Sequence, residues 1–550
     1  MAKPLGERKI VGRDPQLLRT QVDFLKLIDS GGDVDDLIKM LEKTNPDYDT
    51  NIDEWRRMGD VGLARIVTDN DKKRYLIQGD VEPNTHYDKR VSLSEILSET
   101  PGLLNDFIGA VFSKSAKRAP NKEKLNALTQ GADPTDAREA SEQVTKLRIG
   151  DRIQQFIDAA GPAGEPIAKI SEKLGETALV FGSADIMLDH PETGSQIPRA
   201  ILYTPEQRLD WQDGPDGNFA WVKYVEKKSV QRTWDGKRLQ VDEYRIISAP
   251  SFFTDSEGGR QVIPGGVELF RVIREDGEKD KVEISPVIFH KFPSIPVRTL
   301  YWKKLKPGVG APWIKPLVNG DIKIFRADSD LTWDVFIHAH PWIIAWLHKT
   351  AKNQKPLNDI KLGQDWALHL DPGTEEKNKE DVAYRAPDSA PLDVQRTIID
   401  KSREMVRLLA GNGAELDSLS SRPDSGVAIA FRMAQRAKNF FMLAGGLQEI
   451  EWLIAELVAS EGRTELIDIK DMVEIVYPDQ FDQRLTEDLI RDMDASEDIG
   501  SPTLVIEVKK KLATVIIGTG TSQDKIDAIN DEIEKAPTIE PSKDDDDDDE

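Results

Sequence analysis

The sequence predicts an α+β fold, on three observations. Apolar residues recur at helical spacing through the first 150 residues, alternate with period two between about 177 and 300, and return to helical spacing from 312 onward. The 550 residues, 39% hydrophobic and 31% charged, can bury a sizeable core across roughly two to four domains.

The helical start is carried by "DVDDLIKMLEKT" and "VSLSEILSETPGLLNDFIGAVFSKSAKR". In the second, Ser92 and Glu95 have the spacing of a capping box, which satisfies orphan amides at a helix start. Pro101 with Gly102 divides that run in two. "DRIQQFIDAAGPAGEPIAKISEKLGETALVFGSADIMLDH" reads as further helices running into a strand. Phe219, Trp221 and Val225 mark the next strand, and Leu239, Val241, Tyr244 and Ile246 the one after. "VELFRVIRE" and "KVEISPVIFHKF" follow, with Gly/Asp-rich turns between. The pattern predicts an antiparallel meander of roughly five to seven strands. "FPSIPVRTLYW" closes it, Pro293 and Pro296 forcing extended backbone.

Residues 312–340 read as a helix, with Ile322, Phe325, Leu331, Val335 and Ile337 as its apolar residues. After a mixed segment at 341–391, "LDVQRTIIDKSREMVRLLAG" sets Ile398, Ile399, Val406 and Leu409 on one side and stops at Gly411. A polar stretch then turns into a long helix in "SSRPDSGVAIAFRMAQRAKNFFMLAGG". Asp424 or Ser425 can cap it. Ala430, Ala434, Ala437, Phe441 and Ala444 form a mostly small stripe that suits a close neighbouring helix, with Arg432, Arg436 and Lys438 on the polar side. "VEIVYPDQF" reads as a strand, and three short helices follow, one opened by Ser501 as cap and Pro502 as first residue.

The chain has no Cys, which excludes a disulfide scaffold, a thiolate zinc site and a cysteine nucleophile; this suits a reducing cytoplasm. No signal peptide is legible in "MAKPLGERKIVGRDPQ". The most apolar run, "VFIHAHPWIIAWL", is too short and polar to cross a bilayer, so no membrane is expected. Four of seven His fall at His338, His340, His348 and His369. Two residues apart on a strand, His338 and His340 would point the same way as a metal pair; on a helix they would face nearly opposite sides. Asp210, Asp213 and Asp216 lack the glycine and distal glutamate of a calcium loop and fit a hairpin turn. No phosphate-binding, dinucleotide or nucleophile-elbow motif occurs, so neither catalysis nor a cofactor is expected. The net charge is −24, and residues 481–550 hold 21 acidic against 8 basic residues. The terminal "KDDDDDDE" repels itself and stays solvated. Such a chain lacks the basic stripe that grips nucleic acid.

The order of these parts resembles the portal proteins of tailed bacteriophages, in a portal-like subgroup. The stretches that carry the resemblance are "FPSIPVRTLYW", "APWIKPLVNGDIKIFRADSDLTWDVFIHAHPWIIA", "REMVRLLAGNGAEL", "SRPDSGVAIAFRMAQRAKNFFMLAGGLQEIEWLIAEL", "VEIVYPDQF" and the "GSPTL" helix start. The likeness runs from about 290 to 515 and is architectural before that. Where the subgroup has Thr-Ala before the long helix, this chain has "SGVAIA".

The resemblance implies a portal-type fold. Residues 1–310 would form an N-terminal wing part, with its meander from about 177. Residues 311–338 and 392–411 would be stem helices, and 339–391 a small α/β clip. A tunnel loop would follow at 412–426, then a long wing helix and return strand at 427–480. A helical crown would occupy 481–540 and an acidic tail 541–550.

It implies a homo-oligomeric ring of about twelve subunits at a capsid vertex, assembled in the host cytoplasm, with virion localisation. Double-stranded DNA would pass through it during packaging and ejection without sequence-specific binding. Its partners would be the terminase large subunit, head–tail adaptors, and major capsid and scaffold proteins. Asn412, Glu415, Asp417, Ser418, Ser420, Ser421, Arg422 and Asp424 would line the channel. His348, Lys349, Lys352, Lys355 and Lys361 would face terminase or adaptor from the clip. Two other readings stay open: a different phage connector or virion component, and an acidic metal-dependent hydrolase using His338 and His340.

Overall fold

A computed structural model describes residues 34–80, 82–113, 115–120, 137–189, 197–214, 217–231, 238–254, 260–263, 265–274, 280–285, 287–338, 342–346, 367–370, 381–385, 390–410, 426–469 and 472–478, with a few positions between 506 and 533. The fold is α+β. Helices α1 (Val34–Glu42), α2 (Pro46–Gly62), α3 (Asp69–Lys73), α4 (Asn84–Leu93) and α5 (Thr100–Phe112) open it, followed by strand β1 (Lys117–Pro120). Next come α6 (Ala137–Asp158), α7 (Ile167–Phe181), β2 (Ser183–Asp189) and β3 (Arg199–Tyr203). The β-rich part holds β4 (Arg208–Asp213), β5 (Phe219–Gln231), β6 (Arg238–Ser248), β7 (Ser251–Thr254), β8 (Arg260–Ile263), β9 (Gly266–Arg274), β10 (Lys281–Ile284) and β11 (Ile288–Phe289). It continues through β12 (Val297–Tyr301), β13 (Lys304–Lys306) and β14 (Val309–Gly310). Then follow α8 (Lys315–His338), β15 (Trp342–Trp346), β16 (Ala367–Leu370), β17 (Asp381–Arg385), α9 (Ala390–Ala410), α10 (Gly426–Ala459) and β18 (Val473–Val476).

The chain divides into two compact units. The first is built from Met1–Asn105, Glu176–Met187 and Leu202–Arg436, the second from Asp106–Gly175, Leu188–Ile201 and Ala437–Glu550.

In the first unit the predicted meander is an antiparallel sheet of order β10-β9-β6-β5-β4, with β11 also on β9. The period-two pattern sorts the faces: Val222 and Tyr224 point to one side and are fully buried, while Lys223 and Val225 point to the other. The "QDGPDGN" stretch is the β4–β5 hairpin turn, with the Gly214 amide donating to the Asn218 carbonyl at 2.6 Å. Two expectations are corrected here. Among the described residues the β7–β8 hairpin pairs only with itself, and it interrupts the path from β6 to β9. "VRTLY" does not close the meander: β12 pairs antiparallel with β2, Val297 opposite Met187 and Tyr301 opposite Ser183. Pro293 and Pro296, lacking amide donors, interrupt the ladder before β12.

A buried carboxylate ties these strands together. Asp185 on β2 is fully buried and accepts from Arg208 Nη1 at 2.6 and 2.7 Å, the Tyr224 hydroxyl at 2.8 Å and the Thr299 hydroxyl at 2.7 Å. Arg208 also donates to the Gly308 carbonyl and lies 5.1 Å from the Trp211 ring centre. A buried ion pair is tolerable when most of its remaining valences are filled, and here Arg208 Nε is left without a hydrogen-bond partner. Burial and the Asp185 charge push the Tyr224 hydroxyl well above its ordinary pKa. Gly182, between α7 and β2, has φ +83°, and a Cβ there would sit 2.4 Å from the Gly310 carbonyl oxygen. Only glycine fits that crossing.

The Ser92–Glu95 capping box is also corrected. Ser92 lies in the last turn of α4, where its hydroxyl donates to the Lys89 carbonyl at 2.8 Å. The helix ends because Ser94 is extended (ψ 138°) and its hydroxyl takes the Arg90 carbonyl at 2.7 Å. Pro101 does divide the run, standing in the first turn of α5.

The second unit packs Ile149 and Ile153 of α6 with Ala455, Ala459, Ile469, Met472, Val473 and Ile475. "VEIV" is strand β18 as expected; its partner is β1, Lys117 opposite Val476 and Pro120 opposite Val473. Glu451 on α10 is buried and receives Arg118 through two 2.7 Å bonds, the Tyr477 hydroxyl at 2.6 Å, and the Ser171 hydroxyl. On α10 the expected Ala stripe holds at Ala444 and fails at Phe441, while the side chains of Ala430 and Ala434 lie outside the described residues. Phe440, Leu443, Ala444, Leu447, Ile450 and Ile454 are buried, whereas Phe441 is 43% exposed. Bulky contacts set the phase: Phe440 meets Phe107 at 4.7 Å between ring centres, and Leu443 and Leu447 lie over Gly175. The three short helices expected after 481 lie outside the described residues, apart from helical positions near 506–510 and 529–533.

Candidate functional site

The element that the sequence reading singles out and the structure describes is the helix pair α8–α9. The helices run antiparallel: Gln395 Nε2 donates to Asp334 Oδ2 at 2.9 Å near one end, and Gly320 faces Val406 near the other. Leu317, Ile324, Ile399, Val406 and Ala410 interlock with Leu103, and Trp313, Ala327 and Leu331 pack on this cluster. A Cβ on Gly320 would lie 2.3 Å from Val406 Cγ2, so the missing side chain sets how closely the helices approach.

On α9 the expected single apolar side is in fact two. Ile399 and Val406 are buried against α8, while Ile398 is 46% and Leu409 52% exposed. Val394 and Met405, also exposed, join them at spacings of four, seven and four, forming a second stripe along the helix. Helical periodicity cannot separate Ile398 from Ile399, which stand 100° apart on one broad apolar sector.

Polar side chains lock α8 to the preceding helices. Asp321, buried on α8, accepts from the Thr100 amide at 2.9 Å, the Glu99 amide at 3.3 Å and the Ser98 hydroxyl. A side chain 221 residues away thereby satisfies the free amides at the start of α5. Glu99 in turn accepts from Arg407 of α9 at 2.9 and 3.1 Å. Arg90 is buried, paired through both ends with Glu82 at 2.9 Å, and reaches Ser329 at 3.1 Å and Asp330 at 3.3 Å. The Glu82 carboxyl is held below its ordinary pKa, first by that Arg90 bond. Burial raises the carboxyls of Asp328 and Asp330, with Arg403 and Arg90 respectively opposing. At the far end of α8, Trp333 stacks on Phe336 at 5.5 Å, and Lys89 Nζ stands 4.2 Å from the Phe336 ring centre. The anchors of Asp321 on Ser98–Thr100, Arg407 on Glu99 and Arg90 on Ser329 were not legible beforehand, because each joins residues far apart in sequence.

Beyond α8 the strands form a mixed sheet of order β16-β15-β17, with β15 parallel to β16 and antiparallel to β17. His338 is the last residue of α8, and His369 lies on β16 opposite Ala345. His340 lies outside the described residues. So do His348, Lys349, Lys352, Lys355 and Lys361, which fall between β15 and β16. Asn412, Glu415, Asp417, Ser418, Ser420, Ser421, Arg422 and Asp424 fall between the end of α9 and the start of α10, again outside the described residues. Among the described residues no three His, Cys, Asp or Glu side chains are grouped to hold a metal ion, and no helix is long and apolar enough to cross a membrane.

No family model matches the chain, and no curated protein matches it. Among solved structures, one similar chain comes from a structure described as "Virion of native gene transfer agent (GTA) particle". The identity is 12% and the TM-score 0.30, over 72% of this chain and 95% of that one.

Proposed function

We propose that the chain is a phage portal subunit, which assembles into a ring that conducts double-stranded DNA through a capsid vertex and docks terminase and head–tail adaptors. The observation that carries the reading is the second apolar stripe of α9: Val394, Ile398, Met405 and Leu409 are exposed on a helix whose other face is already packed. A helix pair with one face filled and one left open suits a head-to-tail neighbour in a closed assembly. The order of parts agrees with this: stem helix, small sheet, stem helix, polar segment, long helix. In this reading α8 and α9 are the stem, β15–β17 belong to the clip, and the polar residues from Asn412 to Asp424 meet the DNA. A net charge of −24 per subunit repels phosphates, so DNA slides without a counterion-releasing grip. The conduit needs no catalytic group.

The test is native mass by light scattering, with negative-stain images of the same fraction. We expect a ring of about a dozen subunits with a central hole. Ile398→Glu with Leu409→Glu should abolish the ring while leaving the urea midpoint nearly unchanged, since exposed positions contribute only about 0.5 kcal/mol. A chain that stays monomeric with scaffold protein present would sink the reading. A ring that survives both glutamates would remove the stripe from it.

A further inference from the structure

The outer edge of the meander leaves four large apolar side chains uncovered within six residues. Ile284 is 47% exposed, Val287 39%, Ile288 56% and Phe289 53%. An apolar sheet edge of this kind invites non-specific pairing unless something covers it. Register places two of the four on a known face. Ile284 stands opposite Phe270, Phe270 opposite Tyr244, and Tyr244 opposite Val225; Phe289 stands opposite Gly266, in phase with Phe270. This is the face that α1 covers, because Lys223 Nζ on the same side donates to the Lys43 carbonyl, and Arg274 donates to Glu42 at 2.7 Å.

The direction of α1 is also given. Asn45, three residues past its end, donates its amide to the Leu209 carbonyl of β4 at 2.9 Å, at one edge of the sheet. The helix also packs against β10, at the opposite edge. It therefore enters from the β10 side, the edge on which the uncovered side chains stand. The sequence of the chain preceding Val34 is amphipathic. In "LLRTQVDFLKLI", Leu17, Leu18, Val22, Phe24, Leu25 and Ile28 share one helical sector, with Arg19, Asp23 and Lys26 opposite. The link to α1, "DSGGD", can turn back on itself and spans at most about 17 Å.

We infer that residues 17–28 of the same chain dock as an amphipathic segment on the β10–β11 edge, with their apolar sector over Ile284 and Phe289. The segment then extends the cover that α1 begins and protects the edge from pairing with other chains. This inference is independent of the ring reading.

The chain has no Cys, so introduced pairs report without background. Leu25→Cys with Ile284→Cys in the full-length protein is treated with a short bis-maleimide, in a mixture of isotopically heavy and light chains. The expected product is a cross-link within single chains, identified by peptide mapping. Heavy–light links alone would overturn the inference in favour of a second copy's segment, and absence of a link would overturn it outright. A second measurement uses hydrogen exchange. Leu18→Glu with Leu25→Glu should speed exchange of the 281–289 amides about tenfold or more while the β5–β6 amides keep their protection. Unchanged exchange at 281–289 would also overturn it.

Discussion

Glu451 shows how much a single buried side chain decides. It gathers Arg118, Tyr477 and Ser171 from three elements, and its charge balances a guanidinium that is itself largely buried. Burial and the Glu451 charge push the Tyr477 hydroxyl far above its ordinary pKa, so it stays a donor at any working pH. Glu451→Gln keeps the shape but leaves Arg118 uncompensated. We expect a loss of about 3–5 kcal/mol, read as a lower urea midpoint, whereas Glu451→Leu combined with Arg118→Met should recover most of it. Equal midpoints for wild type and Glu451→Gln would show that the pair holds nothing together. Asp185 plays the same part in the first unit, with Arg208, Tyr224 and Thr299.

At the scale of elements, the α8–α9 contact is set by what is missing at Gly320. Alanine there gains about 1 kcal/mol in helix propensity, yet its Cβ would press on Val406 Cγ2, a β-branched side chain with little freedom to move. Overpacking of this kind costs about 1–3 kcal/mol. Gly320→Ala should therefore lower stability, and adding Val406→Ala should restore part of it; thermal unfolding of the three variants checks this. If Gly320→Ala alone raised the melting temperature, the helices would have room to separate. The exposed stripe on α9 is the complement of this contact: one face is packed to the limit and the other is left open.

For the molecule as a whole, the buried titratable groups set a pH profile. Burial lowers the Lys223 ammonium from 10.5 to about 8, with Asp210 opposing. Between about pH 8 and 10.5 the unfolded chain thus binds more protons than the folded one at this site, and stability rises with pH, by up to about 3 kcal/mol. Tyr244, raised to about 12, and Tyr75, Tyr224 and Tyr301, all raised first by burial, act the other way. They keep protons in the folded state that the unfolded chain loses above about pH 10, so stability falls there. The urea midpoint of the first unit should climb from pH 8, peak near pH 10 and decline. Lys223→Met should remove the climb and leave the decline; a climb that persists would assign it to another group.

By itself the sequence determined the α+β class, the meander, the long helices at 315–338, 390–410 and 426–459, and the strand at 473–476. These follow from local periodicity, Pro and Gly, which act through neighbours a few residues away. Tertiary structure decided the rest, because the deciding contacts span long stretches of chain. Asp321 of α8 caps the start of α5, β12 leaves the meander for β2, and Phe440 rather than Phe441 faces inward. The same holds for α9, whose composition contains both apolar faces but not the rule that Ile399 is buried while Ile398 is left exposed. Which side of an apolar sector meets the core depends on the partner's shape, and periodicity carries no record of that shape.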